Sequence, residues 1–176
     1  MAATAKDLRL GLDHVRAAPA DEGTLELIAR RPAAGEREVL DQGELDLEQG
    51  LVGDGWSVRG KYPNPKAQLT LMSARAAALI AGDRDRWPLA GDQLYVDLDL
   101  SGDNLPPGTR LAIGTAVVEV TDAPHLGCEK FTQRYGAEAR TLVNSPEGLA
   151  LNLRGINTNV VRGGTVRRGD SVRKVD

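Results

Sequence analysis

Hydrophobic and polar residues alternate most regularly in the middle of the chain. Leu94, Val96, Leu98 and Leu100 occupy every second position, with Tyr95, Asp97, Asp99 and Ser101 between them. Successive strand side chains point to opposite faces, so this run predicts a strand with one apolar face and one acidic or polar face. After a turn at Leu105-Pro-Pro-Gly108, residues 110–113 and 116–121 read as two further strands, joined tightly at Gly114-Thr115. Residues 24–30 alternate loosely and carry Thr, Leu and Ile, which suit a strand. Residues 68–72 form another short apolar run. From Leu149 onward, short strands are separated by Gly155, Gly163-Gly164 and Gly169-Asp170.

A helical period is confined to short segments. Leu8, Leu12 and Val15 fall on one face of a helix predicted over residues 7–17, with Asp7 at its start and Pro19 closing it. His14 lies on the polar side of that helix. Ser73 is placed to cap a helix over 74–81, and Gly82 to end it. A third helical stretch follows Cys128 through Phe131 and Tyr135, and a fourth covers 137–144. Two apolar pieces around Gln42-Gly43, within 39–47, predict a hairpin. Residues 50–56 form a glycine-rich loop, and Tyr62-Pro-Asn-Pro65 stays extended because proline disfavours helix in the residue before it. The whole pattern describes a mainly β fold with short helices, in the form of a barrel.

The 176 residues suit one domain spanning 1–176. A hydrophobic share of 41% is enough to build a core. A net charge of −3 and an aromatic share of 3% argue against a nucleic-acid partner. No run of about 18 apolar residues exists, so no membrane partner is expected. The first twelve residues lack the apolar core of a signal peptide, and a cytoplasmic location is the expectation. A single cysteine excludes an intrachain disulfide and a cysteine-based zinc site within one chain.

That cysteine is the first candidate for chemistry. Cys128 follows Pro124-His-Leu-Gly127 at a strand-to-helix junction, where free helix N–H groups favour a thiolate. Lys130 and His125 add positive charge nearby. Such a thiolate can bind a soft metal, accept sulfane sulfur or attack an electrophile, and His125 completes a candidate catalytic pair with it. The bland alternative is a small buried structural cysteine. Arg154, Asn157 and Arg168 sit near glycine-rich turns, where a ligand can approach the backbone and arginine can grip a phosphate with two hydrogen bonds. They are candidates for holding a phosphorylated small molecule. Asp92, Asp97, Asp99 and Asp103 lack calcium-loop spacing and read as a solvated sheet face. Gly53-Asp-Gly55 is too short for a dinucleotide fingerprint, and no Walker A sequence is present.

Several stretches, taken in order, resemble one family. They are Gly50-Leu-Val-Gly-Asp54, Gly91-Asp-Gln-Leu94, Leu105-Pro-Pro-Gly-Thr-Arg-Leu-Ala-Ile-Gly114, Val117-Val-Glu-Val-Thr121, Cys128-Glu-Lys-Phe131 and Gly163-Gly-Thr-Val-Arg-Arg-Gly-Asp170. Together they cover residues 50–172 and resemble a MOSC domain, the C-terminal module of molybdenum cofactor sulfurases. Residues 1–45 would add a helix and strands in front. The resemblance implies a pyruvate-kinase-like β-barrel. It also implies a molybdenum cofactor (molybdopterin), with Cys128 as molybdenum ligand or sulfur carrier, and Arg154, Asn157, Lys130 and Arg168 near the pterin phosphate. Reduction of N-hydroxylated compounds and transfer of sulfur are the two activities implied. No pyridoxal-phosphate domain fits in this length, so a separate sulfur or electron donor protein is implied beside the small-molecule substrate. The alternative is a non-catalytic barrel that binds a phosphorylated small molecule and keeps Cys128 as a structural residue.

Overall fold

The computed structural model describes residues 2–176. In chain order its elements are α1 (Ala5–Leu10), α2 (Leu12–Arg16), β1 (Glu22–Arg30), β2 (Glu38–Leu40), β3 (Gln42–Asp46), β4 (Gly50–Leu51), β5 (Leu69–Ser73), α3 (Ala74–Ala81), β6 (Leu94–Asp97), β7 (Arg110–Ile113), β8 (Ala116–Val120), α4 (Glu129–Tyr135), α5 (Ala137–Val143), α6 (Pro146–Ala150), β9 (Ile156–Arg162), β10 (Gly164–Arg167) and β11 (Ser171–Val175). Short 3-10 turns cover Gly55–Val58, Pro65–Ala67 and Arg84–Ala90.

Seven strands close into a barrel in the order β1, β6, β5, β9, β8, β7, β11, with β11 returning to β1. Among the described residues only β5 and β6 pair in parallel, and α3 together with the Arg84–Ala90 turn makes the crossover between them. β2 extends β1 beyond the ring, where Ile28, Ala29 and Arg30 pair with Leu40, Val39 and Glu38. β10, β3 and β4 form a separate three-stranded sheet.

Alternation along the strands sorts the apolar residues into two cores. Leu25, Ile28, Leu71, Leu94, Val96, Val118, Val160 and Val172 fill the barrel, and Leu45, Leu51 and Val166 of the small sheet join them. Leu27, Ala29, Met72 and Tyr95 point outward and are covered by α1 to α5. Tyr95 is thus fully buried, where the sequence pattern placed it on a polar face. The face of β6 opposite the barrel core carries a helical layer, and Tyr95 Oη donates to the carbonyl of Trp87 at 2.7 Å. Burying each such large side chain contributes roughly 1.5–3 kcal/mol.

Local differences from the sequence pattern have clear causes. The first helix is two helices, broken at Gly11, and its cap is Thr4, whose hydroxyl accepts from the Asp7 amide while the Asp7 carboxylate accepts from the Thr4 amide. The pieces around Gln42 are not a hairpin: β2 pairs with β1, and β3 pairs with β10 and β4. The helix over 74–81 lies where its Ser73 cap and Gly82 stop predicted it. α6 was not apparent in the sequence; it starts at Ser145, whose hydroxyl accepts from the Gly148 amide.

Candidate functional site

Where β5, β6 and β9 meet the helical layer, one buried carboxylate organises its surroundings. Asp92 precedes β6 and is 1% exposed, so the reading of it as part of a solvated face is corrected. Its Oδ2 accepts from Arg154 Nη1 at 2.5 Å, and its Oδ1 lies 2.9 Å from His125 Nε2. Burial alone would push this carboxyl up, but the Arg154 guanidinium and then His125 hold it well below the usual carboxylate range. An ionised carboxylate only accepts, so His125 carries its proton on Nε2, and Nδ1 has no protein partner among the described residues.

Arg154 is 8% exposed. Its Nη2 donates to the Ala90 carbonyl at 2.7 Å, its guanidinium stands 5.2 Å from the centre of the Phe131 ring, and its buried Nε has no partner among the described residues. Gly155, at φ 120°, makes room for this cluster. A side-chain carbon there would meet the Leu71 carbonyl at 2.5 Å and His125 Cδ2 at 3.1 Å.

Cys128 stands at the N-terminal cap of α4 and is exposed, so it is not the buried structural cysteine of the alternative reading. The Phe131 amide lowers its thiol from the ordinary value most strongly. Partial burial opposes this, and the Lys130 amide and Arg154 add to the lowering. No hydrogen bond joins Cys128 to His125 among the described residues. The loop before the cysteine is fixed at two points. Asn144 donates to the Gly127 carbonyl and accepts from its amide, at 2.9 and 2.8 Å. Asn157, on β9, donates to the carbonyls of Ala123 and Pro124 at 3.0 and 3.2 Å.

A second carboxylate ties two of the motif segments together. Asp54 is buried and accepts from the amide, Nε and Nη2 of Arg31, from the Trp56 amide and from Gln93 Nε2. Gln93 Oε1 in turn accepts from the amide and hydroxyl of Thr70. The glycine-rich loop is thereby held against the start of β6. Burial opposes ionisation of Asp54, and Arg31 overcomes it, so its carboxyl also lies below the ordinary range.

Between these segments opens a cavity of about 480 Å³. His125, Lys130 and Arg154 line it, together with Arg31, Arg37, Arg59 and Arg134. The sequence reading missed those last four arginines. Three of them carried a signal in hindsight: Arg31 and Arg37 flank the turn at Pro32 to Glu36, and Arg134 follows Lys130 by one helical turn. Of the candidates, His125, Lys130 and Arg154 line the cavity together, while Cys128 stands at the cap of α4, two residues before Lys130, and is not one of the lining residues. Asn157 supports the loop without lining this cavity. Arg168 is elsewhere: it is exposed in the turn between β10 and β11 and lines a different depression with Thr24, Glu26, Asp41 and Gln42. It therefore does not share a cavity with Lys130 and Arg154. Among the described residues no cluster of three or more His, Cys, Asp or Glu side chains could hold a metal ion, and no helix is long and apolar enough to cross a membrane.

Solved structures share this fold. YuaD from Bacillus subtilis is 18% identical, with a TM-score of 0.58 over 86% of this chain and 94% of that one. YiiM from Escherichia coli is 20% identical, with a TM-score of 0.57 over 87% of this chain and 70% of that one. A third structure, of a hypothetical protein, is 19% identical, with a TM-score of 0.64 over 93% of this chain and 71% of that one. No curated protein sequence matches. The MOSC domain model matches residues 64–173, which hold β5 to β10, the first part of β11, Asp92, the Cys128 loop and Arg154. The chain belongs to the MOSC domain family.

Proposed function

We propose that the arginine-lined cavity binds a molybdenum cofactor through its phosphorylated pterin and that Cys128 supplies the protein thiolate to the metal. The observation that carries this reading is one exposed, thiolate-favouring cysteine flanked by His125 and Lys130, both of which line a strongly cationic cavity. The residues present suit such a group. A thiolate is a soft ligand, arginine and lysine suit phosphate, and the buried Arg154 Nε has an unused proton to donate. Among the residues lining the cavity, His125 carries the one aromatic ring, so the group would be held by charge and backbone rather than by stacking on Phe, Tyr or Trp.

When bound, the cofactor would supply a metal centre able to exchange an oxygen atom with a substrate in two-electron steps, which fits reduction of N-hydroxylated compounds. The chain's own residues do the positioning. Asp92 fixes Arg154 and orients the His125 ring, whose Nδ1 has no protein partner among the described residues. Asn144 and Asn157 hold the loop that presents Cys128. Electrons would come from a separate donor protein.

The test is metal and pterin analysis of the protein purified from cells competent to make the cofactor. Molybdenum and pterin in equal amount, both lost in Cys128→Ser, are expected. Their absence, with a mass increase of one sulfur atom on Cys128 reversed by reductant, would instead support persulfide carriage. The exposure of the thiol also fits that reading.

A further inference from the structure

The positive charge of the cavity divides into a paired and an unpaired set. Asp92 neutralises Arg154 and bonds to His125, and Asp54 neutralises Arg31. Arg37, Arg59, Arg134 and Lys130 line the same cavity, and among the described residues none of these four has a carboxylate at salt-bridge distance.

Two of the unpaired groups converge on one glycine. A side-chain carbon on Gly91 would stand 3.8 Å from Arg37 Nη2 and 3.9 Å from Arg134 Nη1. Gly91 has φ 90°, a left-handed conformation that L side chains rarely adopt, so the space between the two guanidinium groups stays open. Arg37 is held in place from behind: its Nε and Nη1 donate to the carbonyls of Pro88 and Glu36, which leaves Nη2 unused. Arg134 reaches in from α4, on the same helical face as Lys130. Burial lowers the Arg37 guanidinium from its ordinary value, and Arg134, Arg31 and Arg59 lower it further, which is the signature of like charges held together. A phosphate monoester brings only about two negative charges at neutral pH.

We propose that Arg37, Arg134 and the open face of Gly91 form a second anion subsite, so that the ligand of this cavity carries two phosphate groups, as in a diphosphate. The inference rests on the reading of the cavity as an anionic cofactor site and extends it to the class of ligand. The Lys130 and Arg154 end takes one phosphate, and the Arg37 and Arg134 end takes the other.

The experiment is calorimetric titration of the full chain with inorganic phosphate and with pyrophosphate at equal ionic strength. Pyrophosphate should bind one per chain and at least about tenfold more tightly than phosphate, since bidentate arginine contacts would engage both ends. In the Arg37→Gln, Arg134→Gln double variant, that preference should shrink to about twofold or less while phosphate still binds. Arg168→Gln, in the separate depression, should change neither. Equal affinity of the unmodified protein for the two anions would overturn the proposal without any variant needing to fold. So would a preference that survives the double variant, or two independent phosphates with no gain from linking them. The outcome is separable from the cofactor reading. Pyrophosphate preference without molybdenum would sink the cofactor and keep the subsite. Molybdenum without the preference would do the reverse.

Discussion

Asp92 Oδ1 lies 2.9 Å from His125 Nε2, and the same carboxylate holds Arg154 through its other oxygen. One buried anion therefore sets both the orientation of the histidine ring and the position of the arginine.

Replacing that anion should be costly. Asp92→Asn leaves the Arg154 guanidinium buried without a counter-charge, and breaking a buried pair in this way costs about 3–5 kcal/mol. The pH dependence has a definite sign. The folded carboxyl titrates below its unfolded value, so its contribution is complete above about pH 4 and is lost as pH falls toward the folded pKa. Urea unfolding at several acidic pH values should show stability falling with acidification, more gently in Asp92→Asn. Asp54 should preserve part of the slope. Equal slopes would contradict the placement of the charge.

The thiol of Cys128 should be more reactive than an unperturbed cysteine. Iodoacetamide modification of the native chain should rise with pH through a midpoint below about 8.5, the ordinary cysteine value, and that of the urea-unfolded chain should rise near it. Coincident midpoints would show that the Phe131 and Lys130 amides do not stabilise the thiolate.

Asn144 and Asn157 should act on the cysteine from a distance. Alanine at either position removes hydrogen bonds to backbone groups of the loop and should cost about 1–3 kcal/mol. Amide hydrogen exchange around residues 123–128 should accelerate in both variants. Unchanged exchange would mean the loop is held by other contacts.

Gly155→Ala tests whether the cluster depends on close approach. The added methyl meets the Leu71 carbonyl and the His125 ring, and the residue must keep φ 120°. A loss of about 1–3 kcal/mol and a shifted His125 ring resonance are expected, as strained backbone positions carry such penalties. A variant as stable as the parent with an unmoved histidine would show the space to be slack.

The sequence made much of this fold readable, and the reasons it failed elsewhere are physical. The strict alternation at Leu94 to Ser101 located the barrel core, and the Ser73 cap and Gly82 stop bounded α3. Tyr95 and Asp92 were misplaced because period-two patterning reports which face is apolar but not that a helical layer covers the other side. Cys128, His125, Lys130 and Arg154 are separated by fewer than thirty residues around one recognisable motif. Arg31, Arg37 and Arg59 reach the same cavity from ahead of the matched segment, and although Arg31 and Arg37 flank one turn, neither composition nor spacing announces their convergence with α4, which the fold creates.

The most direct measurement of the central claim is molybdenum X-ray absorption on the purified protein and on Cys128→Ser. The account predicts bound molybdenum whose spectrum contains a protein-derived sulfur ligand that disappears in the serine variant. Molybdenum with an unchanged sulfur count in Cys128→Ser would contradict the assignment of Cys128 as its ligand.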